Sequence, residues 1–219
     1  MRTTLYLVRH GETDYNRRRI LQGRCINSSL NATGRRQARA LARRLAGVPL
    51  DAVYTSTLDR AAQTAEIVLE GRAPVPLFRL PGLDEMSWGV YEGRPATDDM
   101  QRYLDAMYAR WAAGVFDEPV EGGESILDVQ TRALEALDHI TARHAGQTVL
   151  VVAHGRLLRV LLASVLEGYG LARMHEIEHA NTCVNQLHHQ AGRYEAHLLN
   201  CTAHLHTAHL DTAGATLLE

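Results

Sequence analysis

"TVLVVAHGRLLRVLLASVLEG", residues 148 to 168, is the stretch on which the fold reading turns. Thr148 leads five apolar residues, Val149 to Ala153, with no alternation. That pattern suits a strand in the middle of a sheet covered on both faces. His154 and Gly155 follow, and "RLLRVLLASVLEG" then reads as a helix. A buried strand feeding straight into a helix is one unit of an α/β sheet.

Working outward, Thr3 to Val8 reads as a first strand and Thr33 to Ala46 as a helix. Ala38, Leu41, Ala42 and Leu45 fall at helical spacing in it, and Gly47 is its stop. "DAVYTS" (51–56) is a second short strand that runs into the helix "TLDRAAQTAEIVL", whose Ala61, Ala65, Val68 and Leu69 form an apolar stripe closed by Gly71. "VPLFRL" (75–80) is a third strand candidate. Residues 81–123 begin irregular and aromatic, with a helix expected from Asp98 to Ala113. Ser125 with Asp128 reads as an N-cap and a weak capping-box partner, opening a long helix with Ile126, Ala133, Leu137 and Ile140 inward. Strands near 183–188 and 193–200 fit a hairpin around Ala191-Gly192, and the tail reads as a short excursion over the surface. The alternation predicts an α/β sandwich on a largely parallel sheet.

The chain has 219 residues and no Pro/Gly/Ser-rich linker, repeat or low-complexity tract, which predicts a single domain over 1–219 with a cap-like insertion at about 81–123. Apolar residues make up 46% and charged residues 22%, as in ordinary soluble globular proteins. The N-terminal apolar run, Leu5 to Val8, is too short for a signal-peptide core or a membrane span, so a cytoplasmic protein without membrane attachment is expected. Cys25, Cys183 and Cys201 are odd in number and contain no C-x-x-C pair, so they read as reduced thiols. A formal net charge of −2 removes the electrostatic reason to expect nucleic-acid binding.

All 23 basic residues counted as Lys and Arg are arginine. A P-loop lysine, a Schiff-base lysine and a Ser-Lys dyad are therefore excluded. Any phosphate must be held by arginine, histidine, backbone N–H groups or a metal.

Ligands of open α/β sheets sit beyond the carboxyl ends of the strands. There the first strand ends in Arg9-His10-Gly11, the second runs into a helix whose first turn carries Arg60, and the strand at 148–153 ends in His154-Gly155. If these strands are neighbours, two arginines and two histidines converge, and such a cluster is unfavourable until an anion completes it. A phosphoryl group fits: arginine offers a donor fork, and backbone N–H groups at Gly11, Gly155 and the helix starts would add an anion-binding rim. Glycine beside each histidine would let the backbone approach the oxygens. A neutral imidazole is a competent nucleophile, and neighbouring guanidinium groups favour the neutral form of His10. In "LDEMSWGVYEGR", Glu85 is the candidate proton donor to the leaving group, with Asp84 and Glu92 as competitors.

"LVRHGETDYN", "TSTLDRAAQT", "LDEMSWGVYEG", "GGES" and "VVAHG", in this order over roughly residues 3 to 200, resemble the histidine phosphatase superfamily, also called the phosphoglycerate-mutase-like family. The resemblance implies a three-layer α/β/α sandwich with a mostly parallel central sheet. It implies His10 as the phosphorylated nucleophile and Arg9, Arg60 and His154 as the rest of the phosphate pocket, with Glu85 as the acid. Asn16 matches a position that contacts the phosphate, and Gln22, Gly23 and Gly155 join it as substrate-binding positions. No metal and no cofactor are implied.

Two departures bear on substrate. The "LQGRCINSSLNATG" stretch has Asn27 and Ser29 where the family usually has aspartate and proline, and "EMSWG" stands where the glycolytic mutases carry "ERHYG" and a longer insertion. These favour a phosphatase acting on a small phosphorylated metabolite over a mutase or a catalytically silent phospholigand-binding protein. Oligomeric state is left open. Glu124 and Ser125 read as a helix start, and Arg17, Arg18 and Arg19 as a solvated run near enough to steer anions. Trp88, Tyr91, Tyr103, Tyr108 and Trp111 would form a roof, most of it core. His188, His189, His197, His204, His206 and His209 read as incidental rather than as a zinc site.

Overall fold

Strand β4 (Thr148–Ala153) occupies the position its composition demands: Val149 to Ala153 are each at most 1% exposed. It lies between β2 (Ala52–Thr55) and β1 (Thr3–Arg9), parallel to both, with Arg9 opposite Ala153 and Thr55 opposite Val152. The sheet order is β3-β2-β4-β1-β5-β6, where β3 is Leu77–Arg79, β5 is Val184–Gln190 and β6 is Arg193–Cys201. The first four strands are parallel, and β5 pairs antiparallel with both β1 and β6. The β5–β6 hairpin turns at Ala191 and Gly192, both at positive φ (52° and 76°), as a two-residue turn matched to strand twist requires. These relations come from a computed structural model that describes residues 1–95 and 97–207.

Alternation along the strands sorts the core into two halves. Val8, Val53, Leu150 and Val152 meet Leu41, Leu45, Ala61, Ala65 and Val68 from α2 (Ala32–Leu45) and α3 (Asp59–Leu69), which follow a short α1 (Asp14–Arg17). Leu5, Leu7, Tyr54, Val149 and Val151 face the other way. They meet α5 (Ile126–Arg143) and α6 (Gly155–Val165), and the same apolar cluster takes in Met100, Leu104, Met107 and Trp111 of α4 (Asp98–Ala112). Period-2 alternation on the strands thus makes the three-layer α/β/α arrangement around a mostly parallel sheet.

Helix ends follow their caps. Ser125 and Asp128 form a reciprocal capping box as expected, whereas α2 starts at Ala32 because the Asn31 side chain accepts from the Gly34 N–H at 2.8 Å. The tail corrects one expectation. Ala203–Thr207 forms a helix, α7, rather than an excursion over the surface, and His204 is buried and 3.3 Å from the Thr182 hydroxyl. His209 lies outside the described residues. Among the described residues no helix is long and apolar enough to cross a membrane, and no group of three or more His, Cys, Asp or Glu side chains is placed to hold a metal ion.

Candidate active site

Because β2, β4 and β1 are adjacent and parallel, their carboxyl ends deliver Ser56, His154 and His10 side by side. The His10 and His154 ring centroids lie 5.1 Å apart. A cavity of about 200 Å³ opens there, lined by Arg9, His10, Asn16, Gln22, Glu85 and Gly155 among the anticipated residues. That is below the roughly 300–1,000 Å³ of pockets for drug-sized ligands, so the ligand it suits is small.

His10 is buried, and its Nδ1 lies 2.7 Å from the Gly11 carbonyl oxygen. A carbonyl only accepts, so Nδ1 carries the proton and Nε2 keeps its lone pair. Burial, then Arg60 and Arg9, push the imidazole well below its usual range and keep it neutral. Arg9 donates from Nη1 to the His179 carbonyl at 2.6 Å, while its Nε is buried with no partner. Asn16 serves twice. Its Oδ1 accepts from the Thr13 N–H and hydroxyl, each at 3.2 Å, fixing α1 through a capping box, and Nδ2 is the amide group left for a ligand. Gln22 donates to the Thr13 hydroxyl at 2.8 Å and accepts from Ser28 at 2.6 Å.

Arg60, His154 and Gly23 are buried and do not open onto the cavity; the His154 ring packs directly against that of His10. Arg60, fully buried, donates from Nε to His154 Nδ1 at 3.2 Å, from Nη1 to the Ile26 carbonyl at 2.7 Å and from Nη2 to the Gly23 carbonyl at 3.2 Å. A guanidinium cannot accept, so His154 carries its proton on Nε2 and donates it to Ser56 Oγ at 2.6 Å. Burial and Arg60 hold this ring neutral as well.

The expected anion rim is also differently used. The Gly11 N–H is taken by the Thr64 hydroxyl at 3.0 Å, because Thr64 lies one helical turn after Arg60 on α3. The N–H groups of Arg156 and Leu157 in the first turn of α6 donate to the Glu85 carboxylate at 3.1 and 3.0 Å. Glu85 thus replaces the missing side-chain cap at His154. Gly11 is required by a helix rather than by a ligand: a Cβ there would stand 2.6 Å from the Gly34 carbonyl oxygen of α2. At Gly155 a Cβ would lie 3.4 Å from Arg9 Nε, the unpartnered donor.

The competitors of Glu85 are occupied elsewhere. Asp84 accepts from the Thr57 N–H and hydroxyl, and Glu92 from the N–H groups of Cys25 and Trp88. Glu124 pairs with Arg132 at 2.7 Å, and Arg17, Arg18 and Arg19 are exposed. Of the five aromatic residues, Trp88 and Tyr108 line the cavity, whereas Tyr91 and Tyr103 stack on each other at 4.3 Å. Sequence reasoning missed Arg156, Arg159 and His179, all on the lining. Two arginines three residues apart in "RLLRVLLASVL", whose only other polar residue is Ser164, were the available signal for the first two; His179 follows a non-periodic segment and gives none.

Three neutral buried imidazoles make stability depend on pH. Burial pushes His179 down to about 3, and His10 and His154 lie well below 6.5. An unfolded chain protonates these rings near 6.5, so below that pH the unfolded state binds more protons and stability falls with acidification; above it the contribution is fully present. Each ring removes up to about 1.4 kcal/mol per pH unit within that window. Thermal melts should therefore show a clearly lower Tm at about pH 5 than at about pH 7. Equal midpoints would contradict the neutral assignment.

Residues 5–202 match the model of the histidine phosphatase superfamily (branch 1). The chain is 32% identical over 187 residues to the metal-independent phosphoserine phosphatase of Arabidopsis thaliana, covering 85% of this chain and 76% of that one. It is 36% identical over 184 residues to the 2,3-bisphosphoglycerate-dependent phosphoglycerate mutase of Methylobacterium radiotolerans, covering 81% and 85%. Among solved structures, YhfR of Bacillus stearothermophilus superposes with a TM-score of 0.81 at 36% identity, covering 93% of this chain and 99% of that one.

Proposed function

Since the chain belongs to the histidine phosphatase superfamily, we propose that it is a metal-independent phosphatase that hydrolyses a small phosphomonoester through a phosphohistidine on His10. One observation carries the reading: the Gly11 carbonyl holds the His10 Nδ1 proton, so the Nε2 lone pair is available on a cavity that the Arg9 side chain also lines.

In the first step Nε2 attacks phosphorus, the bond to the leaving oxygen breaks, and Glu85 gives that oxygen its proton. In the second, water attacks the phosphohistidine, Glu85 takes a proton from the water, and the P–N bond breaks to release phosphate and neutral His10. Arg9 and the Asn16 amide face the phosphoryl oxygens and balance charge as it shifts between them. Arg60 and His154 act as positioning residues: the chain from Arg60 through His154 to Ser56 packs against the His10 ring, and burial, with the Arg60 and Arg9 charges, keeps that ring neutral.

Similarity to a phosphoglycerate mutase favours a second reading, return of the phosphoryl group to another hydroxyl of the same substrate. Products separate the two: free phosphate marks hydrolysis, an isomerised ester marks the mutase. The proposal itself is tested by turning over a radiolabelled phosphomonoester in EDTA, quenching in alkali and mapping the labelled peptide. Acid-labile, alkali-stable label on His10 is the expected result. Brisk turnover with no label on the chain would overturn it.

A further inference from the structure

Between α6 and β5, residues 179–183 wrap the end of β1. The Thr182 N–H donates to the carbonyls of Arg9 at 3.0 Å and His10 at 3.4 Å, and the His179 carbonyl takes the Arg9 guanidinium. The Cys183 N–H closes this turn on the Ala180 carbonyl at 3.1 Å, and the Ala180 N–H donates to Asn200 Oδ1 at 2.9 Å. Thr182 is fully buried at a φ of 55°, where a β-branched residue is strained. Such strain persists only where the surroundings over-determine it, and the bonds to Arg9 and His10 do so here.

Asn181, presented by that turn, uses both protons of its amide. Nδ2 donates to the His10 carbonyl at 3.0 Å and to Asn16 Oδ1 at 3.4 Å. Neither amide can be flipped. The His10 carbonyl only accepts, so the Asn181 atom facing it is nitrogen; the Thr13 N–H only donates, so the Asn16 atom facing it is oxygen. The Thr13 bonds are local to the α1 cap and fix which way the Asn16 amide faces. None of the four residues of α1 is buried, so packing does little to hold Asn16 in place. The bond from Asn181 is of another kind: it ties that amide to the backbone of His10.

We infer that Asn181 is a positioning residue, whose amide bridges the His10 carbonyl and Asn16 and so sets the spacing between the nucleophile and the Asn16 donor that faces the phosphoryl group. This rests on the phosphoryl site proposed at His10. Asn181 does not open onto the cavity, so its effect runs through those two partners. The His10 carbonyl keeps the Thr182 N–H when Asn181 is lost, which leaves Asn16 as the group that moves. A displacement of about 1 Å at a group that holds the reacting centre can cost about 10²-fold.

A double-mutant cycle in the whole chain tests the bridge, with Asn181→Leu, which keeps the bulk and removes the donor, and Asn16→Ala. Calorimetry with propylphosphonate, a non-hydrolysable phosphoryl probe, reads affinity without turnover. Asn16→Ala should weaken binding about tenfold or more, the scale of one hydrogen bond to a charged group. N181L should weaken it about fivefold or more in the wild-type background but by no more than about twofold in the N16A background, because the group it positions is gone. A residue that only supports the fold would give the same loss in both backgrounds. Should N181L not fold, as judged by its melting, Asn181→Ala carries the same expectation. Binding by N181L within about twofold of wild type, equal losses in the two backgrounds, or an N16A variant that binds as tightly as wild type would overturn the bridge. Coupled losses in a protein that forms no labelled His10 would instead remove the phosphatase reading and leave the bridge standing.

Discussion

Replacing His10 with alanine is expected to lower kcat/KM on any phosphomonoester by roughly 10⁴-fold or more, the scale on which loss of a covalent nucleophile is felt. The geometry leaves no understudy. His154, the other imidazole, has both nitrogens committed, Nδ1 to Arg60 and Nε2 to Ser56. His179 lines the cavity from the segment beyond α6, and it meets Arg9 through its backbone carbonyl. Steady-state kinetics with a melting curve as control would check the expectation. Binding of propylphosphonate should survive the substitution, because Arg9 and Asn16 remain. Activity within about tenfold of wild type would remove His10 from the chemistry.

The second large effect concerns Glu85. Glu85→Gln should cost about 10²- to 10⁴-fold on an alkyl phosphate, whose strongly basic leaving oxygen needs the proton. A 4-nitrophenyl ester, with a weakly basic leaving group, should still phosphorylate His10. Hydrolysis of the phosphohistidine then lacks its base, so labelled enzyme should accumulate with the aryl ester and not with the alkyl ester. That split separates an acid–base role from a structural one, which matters because Glu85 also holds the first turn of α6. An amide nitrogen placed against the Arg156 or Leu157 N–H would pit donor against donor, so a loss of roughly 1–3 kcal/mol in stability is expected alongside. Equal slowing of both esters would point to the helix rather than the proton.

The sheet was legible where burial dictates composition. The five apolar residues of β4 announced a strand covered on both sides, and the residues ending β1 and β4 announced the site, because parallel neighbours bring their carboxyl ends together. Glu85 was legible through its motif. Hydrogen-bond commitments were not: nothing in the spacing of Arg60 and His154 says that they bond each other and two backbone carbonyls behind His10 instead of lining the cavity. Gly11 shows the same limit. Its residue type predicts a close approach, but the partner, Gly34, lies 23 residues away in sequence and is brought there by α2 packing. The rings of Trp88, Tyr108 and Trp111 all meet the Arg156 guanidinium, and no local pattern encodes that meeting.

The proposed proton donor also caps the first turn of α6, and the pairing has a dynamic corollary. A full negative charge on Glu85 anchors the Arg156 and Leu157 amides at the positive end of the helix, and arrival of a proton slackens that grip. If Glu85 is the proposed acid and base, those two amides are built-in spectators of its cycle: nitrogen-labelled protein would let their resonances follow which way the proton has gone.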